Sequence, residues 1–194
     1  WRPVVTHGRE PTARSPLRFE RADFQPGPLP AGPLATGAAT VRDMTDAPTA
    51  IANLLYRYAE LMDAGRLDEC VDLFTHARVL LGDPADEHTP VVDRDGLAAV
   101  WQSMVRLHED GTPRTRHLVA TPIIEVAADG ATATCRSTYT VFQQVGDGPL
   151  QPIITGRYHD RFESVDGVWR FAERAYLMDL TGDLSSHLMG RLGA

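Results

Sequence analysis

Two Asp-Gly dipeptides constrain this chain more than any other feature. Asp129-Gly130 and Asp166-Gly167 each separate long runs rich in Thr, Val, Tyr and Phe. Such a dipeptide between runs of that composition is the local signature of a β-hairpin. Together they predict four strands. These are His117–Val126, broken or bulged at Pro122; Ala131–Val145; Ile153–Val165, after a Gly146–Pro149 loop; and Val168–Leu180.

The region before the strands is helical. Thr45 or Asp46 caps a helix with Pro48 in its first turn. Ile51, Leu54, Leu55, Tyr58, Leu61 and Met62 then recur at spacings of three and four, as on one apolar helical face. Gly65 stops that helix. A short helix over Leu67–Phe74, a short strand over Arg78–Leu81 and a polar loop over Gly82–Pro90 follow. A third helix, capped by Asp93 or Asp95, carries Leu97, Val100, Trp101, Met104 and Leu107. Helices first and long antiparallel strands after predict an α+β domain with the helices on one face of the sheet. Long strands interrupted by Gly or Pro curve, and a curved sheet closed by helices encloses a pocket.

The folded unit is expected over residues 46–182. Residues 1–45 contain seven prolines. The run Gln25–Pro33 alone can hold neither a helix nor a central strand, so the stretch reads as an extended leader. It has arginines but no apolar core, unlike a secretory signal; a transit-like leader stays open, as does a start at Met44. Residues 183–194 are expected to be a tail or short helix. No apolar run approaches 18 residues, so no membrane span is expected. The net charge of −7 lacks the basic face that a nucleic-acid binder needs. All 19 basic residues are Arg. Cys70 and Cys135 are too few for a disulfide framework and read as buried thiols of a cytoplasmic protein.

Little in the chain suits phosphate, nucleotide or metal chemistry. It has no P-loop, no Gly-x-Ser-x-Gly and no Gly-x-Gly-x-x-Gly, and its seven histidines show no ligand spacing. What remains is a set of acid–base groups. Tyr58 lies on the apolar face of the first helix, either as a core tyrosine or as a pocket hydroxyl. Asp63 sits in the last turn of that helix, where the macrodipole disfavours a negative charge; a solvated turn residue is the alternative. If it faces a pocket, burial and the dipole both raise its pKa. His117 heads a strand and shares a face with Val119 and Thr121, as a base or as a hydrogen-bonded core residue. In the third long strand Gly156, Tyr158, Asp160 and Phe162 share one face, opposite the charged Arg157, His159, Arg161 and Glu163. Asp160 either lines the pocket or pairs with an arginine such as Arg174. Trp101, Met104, Phe142 and Met178 are expected to set the pocket volume.

Residues 50–180 resemble the SnoaL-like branch of the nuclear transport factor 2-like superfamily. The resemblance rests on three stretches in order. They are Tyr58–Asp68 with Leu73-Phe74, Thr115-Arg116-His117-Leu118, and Gly156–Phe162 running into Asp166–Phe171. It implies a cone, with a bent sheet wrapped around the N-terminal helices and an internal pocket. Tyr58, Asp63 and His117 match the Tyr, Asp and His of the bile-acid 7α-dehydratase type; Asp63 and His117 also match scytalone dehydratase. The chain departs from the latter twice. Leu81 stands where that enzyme has a second tyrosine, and no second histidine occurs near Val141. The resemblance implies a cofactor-independent dehydratase or isomerase acting on an apolar, steroid- or polyketide-like carbonyl compound. Tyr58, Asp63 and His117 would be catalytic; Trp101, Met104, Phe142, Tyr158, Asp160 and Met178 would contact substrate. It also implies a homodimer. Non-catalytic binding or assembly modules and dioxygenase β subunits share the same fold, and these are the alternative readings.

Overall fold

A computed structural model describes residues 46–190; the leader expected over 1–45 lies outside them. Helix α1 spans Ala47–Asp63, and the Asp46 side chain caps it by accepting the Thr49 amide. Its apolar stripe is buried: Ile51 and Leu55 are fully enclosed, with Tyr58, Leu61 and Met62 nearly so. The helix ends in a left-handed turn at Gly65 (φ 71°), where the Arg66 amide donates to the Leu61 carbonyl at 3.0 Å. That satisfies carbonyls the helix would otherwise leave open. A Cβ at Gly65 would also run into the backbone carbonyl of Gly111, so the position is closed to side chains for two reasons.

The second helix, α2, is shorter than expected, Leu67–Asp72, with Leu73 as its C-cap. Strand β1 is Arg78–Leu80, and a two-residue strand the sequence did not suggest, β2 (Val91–Val92), pairs with it across the polar loop. Asp93 is the cap of α3, Arg94–Met104, and accepts the Gly96 amide. Leu107 therefore falls beyond the helix.

Four long strands follow: β3 (Thr115–Val126), β4 (Thr132–Gln143), β5 (Gln151–Val165) and β6 (Val168–Thr181). The sheet order is β2-β1-β6-β5-β4-β3. All pairings are antiparallel except β1 with β6. The sheet is curved and unclosed, and its bulges are where the bending concentrates. One bulge falls between Ala120 and Ile123, next to Pro122. It turns Thr121 (φ 48°) outward, so Thr121 does not share the inner face with His117. Another falls at Gly156, where a Cβ would collide with the Leu177 carbonyl and the Tyr139 ring. The room left by that glycine is filled by Tyr139.

The hairpins differ from one another. Asp166 and Gly167 both have positive φ (53° and 81°), as a two-residue type I′ turn requires. The Asp129-Gly130 connection is longer: Ala127 and Thr132 close the ladder, and the Asp129 carboxylate holds the Ala131 amide at 2.8 Å. The last described residues form turns rather than a helix, and Leu188 bridges to Val105. Between helices and sheet lies one main apolar cluster, including Phe74, Val79, Leu97, Ile153, Phe162 and Phe171, each almost fully buried. Burying one such side chain stabilises the fold by about 1.5–3 kcal/mol. Cys70 and Cys135 are buried, unbridged thiols.

Candidate active site

The end of α1 and the start of β3 meet because the Gly65 turn stops the helix with Asp63 facing the sheet. There the Asp63 carboxylate takes three hydrogen bonds. Oδ1 lies 2.6 Å from His117 Nδ1 and accepts the Thr115 hydroxyl at 2.9 Å, and Oδ2 accepts the His117 amide at 2.8 Å. Both side chains are nearly enclosed, at 5% and 7% exposure, so the contact is little screened by solvent. Burial pushes the Asp63 carboxyl up, but the His117 and Thr115 hydrogen bonds and the neighbouring imidazole outweigh it and hold the group below its usual range. This reverses the expected direction: donors at the helix end overcome both desolvation and the dipole. An ionised carboxylate only accepts hydrogen bonds, so Nδ1 carries the proton in the neutral ring. Nε2 is left with the lone pair.

His117 lines a cavity of about 250 Å³ between α1, α3 and the sheet. Trp101, Met104, Tyr158 and Met178, all expected to contact substrate, line it too, as does Tyr58. So does Leu81, just beyond β1. Phe142 and Asp160 do not. On β4 the inward positions fall to Tyr139, Val141 and Gln143, so strict alternation turns Phe142 away. Asp160 lies deeper, fully buried, in a bidentate pair with Arg174 at 2.7 and 2.9 Å. Of its two expected fates the pairing is the one observed.

Arg174 sits beneath the cavity floor. Its guanidinium lies 4.2 Å from the Tyr158 ring centre and 4.5 Å from that of Tyr58, within cation–π range. Burial works against its charge, but Asp160 more than offsets this and the guanidinium stays charged. Tyr139 stacks on Tyr158 at 4.3 Å, and Tyr58 meets Tyr158 edge-on at 5.8 Å. Burial pushes the phenols of Tyr58 and Tyr158 well above their ordinary value and that of Tyr139 to about 12. All are therefore neutral hydrogen-bond donors near pH 7.

Three polar wall residues were not anticipated: Tyr139, Tyr176 and His187. The tyrosines could have been found by alternation, since each sits two residues from another inward position on a long strand. His187 carried only a weak signal, a polar ring within the apolar tail Leu184–Met189. No group of His, Cys, Asp and Glu among the described residues could hold a metal ion. No helix among them is long and apolar enough to cross a membrane.

A bent sheet around helices, with a mostly apolar pocket and a carboxylate–imidazole pair on its wall, defines an α+β cone of the nuclear transport factor 2-like type. The chain belongs to the SnoaL-like domain family, whose pattern matches residues 43–175. It is 29% identical over 163 residues to the methanesulfonate monooxygenase hydroxylase β subunit of Methylosulfonomonas methylovora, covering 75% of this chain and 87% of that one. Among solved structures it is similar to a candidate aromatic-ring-hydroxylating dioxygenase β subunit from Novosphingobium aromaticivorans. That match has a TM-score of 0.55 and 22% identity and covers 70% of this chain and 91% of the other. A candidate scytalone dehydratase from the same organism matches with a TM-score of 0.52 and 22% identity, over 69% and 85% of the two chains. At these identities the two structures speak for the fold alone.

Proposed function

We propose that this domain is a cofactor-independent acid–base enzyme, a dehydratase or double-bond isomerase, acting on a mostly apolar carbonyl compound. The observation that carries this reading is the Asp63–His117 pair opening onto an apolar cavity. Nε2 of His117 takes a proton from the carbon α to the carbonyl, or from a vinylogous position. The C–H electrons pass to the carbonyl oxygen and form an enolate. Tyr58, with Tyr158 beside it, donates a hydrogen bond to that oxygen. Asp63 holds the ring in the required tautomer and stabilises the imidazolium. The imidazolium then returns its proton, either to a β-hydroxyl that leaves as water or to the γ carbon. A cavity of about 250 Å³ lies just below the usual ligand-pocket range of roughly 300–1,000 Å³, which favours one- or two-ring compounds over a four-ring steroid. Two buried thiols suit a reducing cytoplasm. Leu118, Ile123 and Leu180 are exposed on the outer sheet face, which suits a homodimer.

The test is a thermal-shift screen of wild type and His117→Ala with aromatic polyketide-like ketones, steroids and small enones, followed by turnover assays on the hits. Ligands raise the melting temperature by mass action. Wild type should convert a bound compound while His117→Ala binds it without turnover. Equal turnover by both proteins removes the assignment.

The sequence match to a hydroxylase β subunit favours a second reading, that of a supporting subunit of an oxygenase. Co-expression with the α subunit of a hydroxylase of that kind would test it. A stable hetero-oligomer on gel filtration supports that reading, and its absence with turnover by the isolated domain supports the first.

A further inference from the structure

His187 takes no part in the scheme above, yet it is among the most unusual residues of the cavity wall. It is 93% buried, and its Nδ1 is enclosed with no hydrogen-bond partner among the described residues. A buried N–H without an acceptor is costly, so the enclosed Nδ1 carries the lone pair of the neutral ring and Nε2 carries the proton. The ring is not there by slack in the chain. The Arg106 amide donates to the His187 carbonyl at 2.9 Å, the Met189 amide to the Met104 carbonyl at 2.9 Å, and Gln143 Nε2 to the Ser186 carbonyl at 3.3 Å. Backbone bonds on both sides thus pin the segment across the end of α3. The imidazole is held against the cavity that also meets His117.

We propose that His187 is a ligand-binding residue of this cavity, a neutral imidazole whose enclosed Nδ1 keeps the lone pair and whose Nε2–H, on the ring nitrogen that is not sealed off, donates a hydrogen bond to the oxygen of a bound carbonyl compound. The inference rests on the acid–base reading above. It gives the cavity two imidazoles with different tasks. His117, paired with Asp63, is the base. Among the described residues no carboxylate bonds the His187 ring, so it lacks the partner that would make it one. Burial and the neighbouring His117 and His108 push it down to about 4, with Asp63 opposing. It is therefore uncharged at neutral pH and suited to polarise a carbonyl without giving up a full proton. The C-terminal segment thus brings a second histidine to the cavity that His117 lines.

Two probes of similar shape, 4-nitrophenol and 4-nitrotoluene, test this. The phenol offers the conjugated oxygen of an enolate, and the toluene offers none. Dissociation constants would be measured by calorimetry at neutral pH for wild type, His187→Phe and His187→Gln. Loss of a hydrogen bond to a charged or strongly polar oxygen should weaken the phenol by roughly tenfold to a hundredfold in His187→Phe. The toluene should bind unchanged, and His187→Gln, which keeps a donor, should recover part of the loss. In the wild type, the His187 ring nitrogen signals in a 15N NMR spectrum should move with the phenol and not with the toluene, a readout that needs no variant to fold. Equal weakening of both probes, or of neither, would show that His187 only shapes the wall and would overturn the inference while leaving the His117 assignment standing. Failure of the wild type to bind either probe would count against the acid–base reading itself, and the inference would fall with it.

Discussion

Asp63 sits where an isolated helix least favours a carboxylate, and three hydrogen bonds from β3 reverse that preference. Asp63→Asn keeps the shape, but the amide can donate to Nδ1 and select the wrong tautomer of His117. Turnover on a bound ketone should fall about 10²–10⁴-fold, with the melting temperature little changed at acid pH. The pH dependence has a definite sign. A carboxyl held below its ordinary 3.8 in the fold adds stability that is complete above that value and lost as the pH falls through the lowered one. The stability gap between wild type and Asp63→Asn should therefore close below about pH 4 in urea titrations. His187 acts in a different window. Above its ordinary 6.5 it is neutral in both states; between 6.5 and about 4 only the unfolded chain takes up the proton. Wild-type stability should fall across that window by up to about 3 kcal/mol. His187→Phe should lack this component in the same titration. Asp63 and His117 were legible in the sequence as candidates. The direction of the Asp63 shift was not, because it depends on donors 52 and 54 residues away.

At the scale of elements, the turns position the site. Gly65 ends α1 so that Asp63 reaches β3, and both its φ and the nearby Gly111 carbonyl exclude a side chain. Gly167 has a positive φ but open space around it. Gly65→Ala should therefore cost more than Gly167→Ala. The second should lose about 1 kcal/mol and the first clearly more, with reduced His117-dependent turnover, as read from urea midpoints and assays. The helices and long strands were readable from period and punctuation, within a few residues at their ends. The short β2 was not, since two valines carry no pattern of their own. The loop at Asp129 is one residue longer than the expected strands left, because the dipeptide marks a turn without specifying how the carboxylate will close it.

Across the whole molecule, the sheet and helices close over a charge pair rather than a purely apolar centre. Asp160 and Arg174 are both completely enclosed. Arg174→Met or Asp160→Leu alone leaves an uncompensated buried charge and should cost about 3–5 kcal/mol. The double substitution should cost much less, because the Coulombic gain of such a pair roughly cancels its desolvation. Urea unfolding of the three variants measures this as a double-mutant cycle. The cavity above the pair draws its wall from α1, α3, four strands and the C-terminal segment, so no local stretch of chain contains it.

The amino-acid sequence by itself determined the α+β class, the order of the main elements and the inward face of β5. Those follow from helical and strand periodicity and from turn chemistry, all of which act over a few residues. It also supplied Asp63, His117, Tyr58 and Tyr158 as candidate acid–base groups. Only the tertiary structure decided which of them meet. It joined Asp63 to His117, withdrew Asp160 from the cavity into the Arg174 pair, turned Phe142 outward and brought in Tyr139, Tyr176 and His187. The physical reason is range. Hydrogen bonds and burial between residues far apart in the chain depend on register, bulges and the curve of the sheet, and these are settled only when every strand has found its neighbour.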